Sequence, residues 1–211
     1  MTDDPHGDQP VVTAGTDLED ADAAIVLAHG RGATARSVLA FANQLPTDGI
    51  AYLAPQAARN TWYPRAFTEP EEANEPWLSS ALAKLDDVVE TVEDAGIPRE
   101  RTVIGGFSQG ACLGAEYVAR NPTRYGGLAV LSGGLIGDTV SEDDYPGDLD
   151  GTPAFLGCSD VDPHIAAERV RETDRILTAM GADVETVLYE GMGHTVIPDE
   201  LDHVRELLDA L

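Results

Sequence analysis

Lysine is almost missing from this chain of 211 residues. Lys84 is the only one, and lysine and arginine together number 13 against 38 aspartates and glutamates, a formal net charge of −25. Phosphate binding needs a basic patch and none is present, which argues against nucleic acid as a partner. Cysteine is nearly as scarce. Cys112 and Cys158 are too few for a disulfide framework, and both read as buried small thiols. No apolar run approaches the length that spans a bilayer, and the opening MTDDPHGDQP has neither a basic n-region nor an apolar h-region. The expectation is a cytoplasmic protein without membrane insertion. Hydrophobic residues still make up 43%, enough for a sizeable core, and the length suits one α/β domain better than two small ones.

So much like charge repels itself at low salt, and high salt screens that repulsion within a few ångströms. Acidic excess, scarce lysine and abundant Ala, Gly, Val and Thr together resemble proteins of extreme halophiles. The competing explanation is an acidic surface for a basic partner. Against it, the acids are scattered along the whole chain rather than gathered in one block.

Residues 1–22 read as a flexible acidic N-terminal segment, polar and Pro/Gly-containing through Gln9, with VVTAG at 11–15 as a candidate edge strand. Residues 23–211 read as one domain. AAIVLAHG at 23–30 is the short apolar run of a buried parallel strand. Val38, Leu39, Ala42 and Leu45 share a helical face before Pro46, and GIAYLAP at 49–55 is the next strand. A long loop from Gln56 to about Glu75 carries NTWYPRAF. Leu78, Leu82, Leu85, Val88, Val89 and Val92 then recur at threes and fours, an amphipathic helix ended by Gly96 and Pro98. Strands and helices go on alternating to the final PDELDHVRELLDAL. The pattern predicts a mostly parallel sheet covered by helices on both faces.

Within TVIGGFSQGACL, Gly106, Ser108 and Gly110 form G-x-S-x-G between a strand and a small-residue helix, the context in which that motif makes a nucleophile elbow. The turn is sharp, so bulky flanking residues would collide with strand or helix. A serine hydroxyl needs a base to take its proton. Of the five histidines, His6 lies in the tail and His29 ends a strand. His164 reads as a helix-start residue, and His203 lies inside the last helix. In the α/β-hydrolase order of Ser, acid, His, only His194 and His203 come late enough, and only His194, in YEGMGHT, is in a loop. The orienting acid belongs after a strand between them. GCSDVDPH offers Asp160 and Asp162, which spacing alone does not separate, and Asp162 also suits N-capping. Acids at 138–150 are further candidates. Oxyanion donors would be the N–H of Gln109, after the nucleophile, and that of Arg31 in HGRGA.

The blocks LAHGRGAT, GGFSQGA, GCSDVDPHI and YEGMGHT, in that order, resemble the signatures of the phospholipase/carboxylesterase family of α/β-hydrolases, which includes bacterial carboxylesterases and acyl-protein thioesterases. The resemblance implies the α/β-hydrolase fold without a large lid, Ser108 as nucleophile, His194 as base, and Asp162, directly before proline, as the acid. It also implies Arg31 and Gln109 as oxyanion donors. It implies a serine carboxylesterase with no cofactor or metal; because no lid-like hydrophobic insertion is evident, small, fairly soluble esters are expected, hydrolysed by a monomer or homodimer. The alternatives are a thioesterase or lysophospholipase and, in another class, a non-catalytic acidic binding protein on the same fold. Arg31 departs from the aliphatic residue of the thioesterases, and a guanidinium near the pocket would favour acidic or polar substrates. His164-Ile165-Ala166 also replaces the usual apolar-Val-Pro. Trp62, Tyr63 and Phe67 of the long loop are expected to wall the substrate cleft.

Overall fold

The computed structural model describes residues 4–211, apart from the Ala42 side chain. Its seven strands are β1 (Val11–Gly15), β2 (Ala23–Ala28), β3 (Ile50–Pro55), β4 (Thr102–Phe107), β5 (Gly127–Leu131), β6 (Pro153–Ser159) and β7 (Asp183–Tyr189). They form one sheet in the order β1-β3-β2-β4-β5-β6-β7. Only β1 is antiparallel, pairing Val11 with Pro55 through Gly15 with Ala51 at the sheet edge, as the sequence suggested.

The apolar runs form the inner strands because both of their faces are covered. Along β2, Ala24, Val26 and Ala28 point into one core while Ile25 and Leu27 point into the other, the two-residue period of a strand. The first core is filled by α2 (Trp77–Asp94), α3 (Gln109–Arg120) and α4 (Ala167–Ala179). The second is covered by α1 (Ala35–Val38) and α5 (Pro198–Asp209). Residues Leu78, Ala81, Leu85, Val88, Val89 and Val92 are the buried stripe of α2. Gly96, at φ +97°, ends that helix, its N–H bonded to Glu93 O while Ile97 N–H reaches Val92 O.

The helix expected through Leu45 is shorter than its pattern suggests: one α-turn continues as a 3-10 helix over Leu39–Gln44. Val38, Leu39 and Leu45 are buried as predicted, and Ala42 lies outside the described side chains.

The expected flexibility of the first residues is corrected for 4–9; residues 1–3 lie outside the described chain. Asp4 Oδ1 accepts the Ser80 hydroxyl at 2.5 Å, and the only lysine, Lys84, donates to Gly7 O at 3.1 Å. His6 is fully buried, with Nδ1 accepting Ala58 N–H at 3.0 Å and Nε2 bonded to Trp62 O at 2.9 Å. A polar stretch is thus strapped across α2 and the 58–62 loop by partners far away in sequence.

Strand order positions the site. From the centre the chain builds β3 on one side of β2, then crosses to β4 and continues outward through β7. The crevice beyond the carboxyl ends of β2 and β4 is therefore the topological switch point, where ligands bind in open α/β sheets. Ala28 pairs with Gly106 and Phe107 with Leu131, which brings the ends of β2, β4 and β5 together there.

Candidate active site

Ser108 sits at the tip of β4 with φ 56° and ψ −120°, a conformation that costs a non-glycine residue about 1–3 kcal/mol. Its N–H is tied to Leu131 O at 2.9 Å, and its own carbonyl accepts Cys112 N–H at 3.0 Å, starting α3. The flanking glycines are required sterically. A β-carbon on Gly106 would come within 2.5 Å of the Gly110 carbonyl carbon and 2.7 Å of Ala28 O. One on Gly110 would overlap the Ala28 carbonyl. The motif is a true elbow, and the turn holds the Ser108 side chain above the sheet.

His194, in the loop after β7, meets it there. Its Nε2 lies 2.8 Å from Ser108 Oγ, and its Nδ1 lies 2.6 Å from Asp162 Oδ2. With Nδ1 protonated and donating to the carboxylate, Nε2 is free to accept the serine proton. Asp162, in the loop after β6, has its carboxylate fully buried while the imidazole is 18% exposed. Burial alone would raise the Asp162 pKa. The hydrogen bond from His194 and those from the His164 and Ile165 amides, at 2.8 and 3.0 Å to Oδ1, outweigh burial and hold it below the ordinary value. The carboxylate stays ionised; it does not cap the following helix, which begins only at Ala167 after an N-cap at Ala166, but closes the turn over 162–165. Asp160 does something else: its Oδ1 accepts Gly191 N–H at 2.8 Å, pinning the loop that carries His194. Among the described residues no acid of 138–150 pairs with His194.

The two expected oxyanion donors flank this chain of hydrogen bonds. Gln109 opens α3, so its N–H has no intrahelical acceptor. Beyond β2, Gly32 N–H donates to Asn60 O and Ala33 N–H to Gly30 O, while Arg31 N–H takes no backbone acceptor among the described residues. A β-carbon at Gly30 would sit 3.4 Å from Phe107 O and 3.5 Å from the Ser108 β-carbon, in ordinary van der Waals contact, so the loop after β2 lies directly against the elbow.

A cavity of about 520 Å³ opens over Ser108 and His194. Tyr63 and Phe67 are among its lining residues, with Arg31, Arg65, Cys112 and His164. Trp62 is corrected. It is fully buried beneath the cleft, its indole N–H bonded to His29 O at 2.8 Å and its ring between His6 and His29. The loop turns there because the Gln109 side chain grips it, accepting Trp62 N–H at 2.9 Å and donating to Tyr63 O at 2.8 Å. Asn74 holds the next turn through Arg65 N–H and Ala66 O.

His164 is also corrected. α4 begins only at Ala167, and the His164 ring stands edge-on to His194 at 4.9 Å between centroids, on the cavity wall. Its place two residues after Asp162 was the available signal. Cys112 forms part of the cavity wall as a buried free thiol, pushed up to about 12 mainly by burial; Cys158 is pushed to about 11 by burial and then by Asp162. Neither is a competing nucleophile. Among the described residues no group of three or more His, Cys, Asp or Glu side chains is arranged to hold a metal ion, and no helix is long and apolar enough to cross a membrane.

Residues 8–211 match the family Phospholipase/Carboxylesterase. A crystal structure of a phospholipase/carboxylesterase from Dyadobacter fermentans is 42% identical, with a TM-score of 0.91 and coverage of 95% of this chain and 96% of that one. Acyl-protein thioesterase 1 of Neurospora crassa is 30% identical over 64% of this chain, which spans only about half (56%) of that relative's length. Acyl-protein thioesterase 1 of Candida albicans is 28% identical over 87% of this chain and 90% of its own.

Proposed function

Because the chain belongs to the phospholipase/carboxylesterase family of α/β-hydrolases, we propose that it is a serine carboxylesterase acting on small esters through Ser108, His194 and Asp162. The observation that carries this reading is the continuous hydrogen-bonded chain from Ser108 Oγ through His194 to Asp162, mounted on a strained elbow. In this mechanism Ser108 Oγ attacks the ester carbonyl and its proton passes to His194 Nε2. The oxyanion forms against the Arg31 and Gln109 amides. His194 returns the proton to the departing alcohol, leaving an acyl-serine. Water, deprotonated by the same imidazole, then attacks the acyl carbonyl, and the proton goes back to Ser108 as the acid leaves. Asp162 holds the imidazole tautomer and stabilises its protonated form.

The cavity's modest volume and its two aromatic walls support short acyl chains over long lipids. A thioesterase is the second reading, supported by the relatives that carry that name, since the same steps serve a thiolate leaving group. Matched esters and thioesters separate the two. We also read the net charge of −25 as an adaptation to high salt, in which case folding and turnover improve as salt rises.

The test is hydrolysis of a p-nitrophenyl ester series by the wild type and Ser108→Ala, from low to multimolar salt. The expected result is serine-dependent turnover with an optimum at short acyl chains. A folded wild type with no serine-dependent turnover on esters or thioesters at any salt overturns the reading.

A further inference from the structure

We infer that the substrate of this site is an anionic ester, one bearing a carboxylate that Arg31 and Arg65 hold beside the scissile bond. The inference rests on the hydrolase reading above and narrows it to a substrate class. Although 38 of the 211 residues are acidic, none of those among the described residues lines the cavity over Ser108, whereas two arginines and two histidines do. The Arg31 guanidinium is fixed in place: it donates to Pro64 O at 3.1 Å and Arg65 O at 2.6 Å, and its Cζ lies 5.9 Å over the Tyr63 ring. Those acceptors are neutral carbonyls, so they hold the group without cancelling its charge.

Neither Arg31 nor Arg65 forms an ion pair with a carboxylate among the described residues. Elsewhere in the molecule Arg120 bridges Glu71 and Glu116, and Arg169 pairs with Glu172. With a global charge of −25 working against any anion, two arginines on the wall of the cavity over Ser108, neither paired with a carboxylate among the described residues, create a local preference for negative charge. A guanidinium also has N–H donors to spare after making two bonds, in the fork geometry that carboxylates accept. Addition of one water then gives a dicarboxylic acid and an alcohol when the carboxylate is on the acyl side, or a carboxylic acid and a hydroxy acid when it is on the alcohol side.

The experiment compares charged esters with neutral isosteres by pH-stat, at one fixed salt concentration at which circular dichroism shows the fold. On the acyl side monoethyl succinate is set against ethyl 4-oxopentanoate; on the alcohol side acetoxyacetate is set against acetoxyacetone. The expected result is a kcat/KM about fivefold higher for the anion in one arm, lost wholly or in large part in Arg65→Gln and in Arg31→Gln. Whichever arm shows it identifies where the carboxylate sits. If Arg31→Gln does not fold, Arg65→Gln and competitive inhibition of acetoxyacetone hydrolysis by succinate decide the matter. Equal or better hydrolysis of the neutral ester in both arms overturns the inference, and so does a preference that survives both substitutions. In either case Ser108-dependent hydrolysis of the neutral esters leaves the esterase standing. Absence of Ser108-dependent turnover on all four esters and on the p-nitrophenyl series removes both readings together.

Discussion

Replacing Glu200 by glutamine should make the protein more stable near neutral pH. Glu200 lies in the first turn of α5, fully buried, with Oε2 accepting Ile197 N–H at 2.9 Å and Oε1 without a partner among the described residues. Burial, with the neighbouring Asp199 charge adding to it, outweighs the Ile197 hydrogen bond and lifts the carboxyl from 4.5 to about 7. Between those values the folded protein holds a proton that the unfolded chain has released. Stability therefore falls as pH rises through this window, by about 1.4 kcal/mol per pH unit and up to about 3 kcal/mol in all. An amide keeps the acceptor for Ile197 N–H and removes the titration. Urea unfolding at constant high salt, from pH 4.5 to 8, should show Glu200→Gln close to wild type at the acid end and up to about 3 kcal/mol more stable at pH 8. Two parallel profiles would refute the reasoning, because they would mean that Glu200 titrates alike in the folded and unfolded chains.

At the elbow, Gly110→Ala should be severe: the added carbon overlaps the Ala28 carbonyl and reaches 2.7 Å from His29 O, so α3 must move. A loss above about 3 kcal/mol in urea unfolding, with collapse of esterase turnover, is expected, and near-wild-type values would contradict the close packing described. For the acid, Asp162→Asn should lower kcat roughly a thousandfold or more with the fold retained, since the amide favours the wrong imidazole tautomer. Asp160→Asn keeps an acceptor for Gly191 N–H and should cost less than about tenfold; a reversal of the two effects would exchange their roles.

The sequence by itself determined the sheet and the elbow, because both depend on local rules. Buried parallel strands must be apolar throughout, so β2 to β6 could be read directly, and the steric demands on Gly106 and Gly110 lie within two residues of Ser108. His194 was legible from chain order. Asp160 and Asp162 were not separable by spacing, since both follow β6 at once; the direction each carboxylate takes, toward Gly191 or toward His194, depends on where the loop after β7 lies. The same holds for the aromatic loop. Its sequence marks Trp62, Tyr63 and Phe67 alike, and only the Gln109 grip and the His29 carbonyl turn Trp62 under the cleft while Tyr63 and Phe67 face it. His6, strapped to partners 52 and 56 residues away, and a cavity wall free of carboxylates among the described residues left no local trace either. Hydrogen bonds and charges brought together across a sheet have no sequence period, so tertiary packing alone decides them.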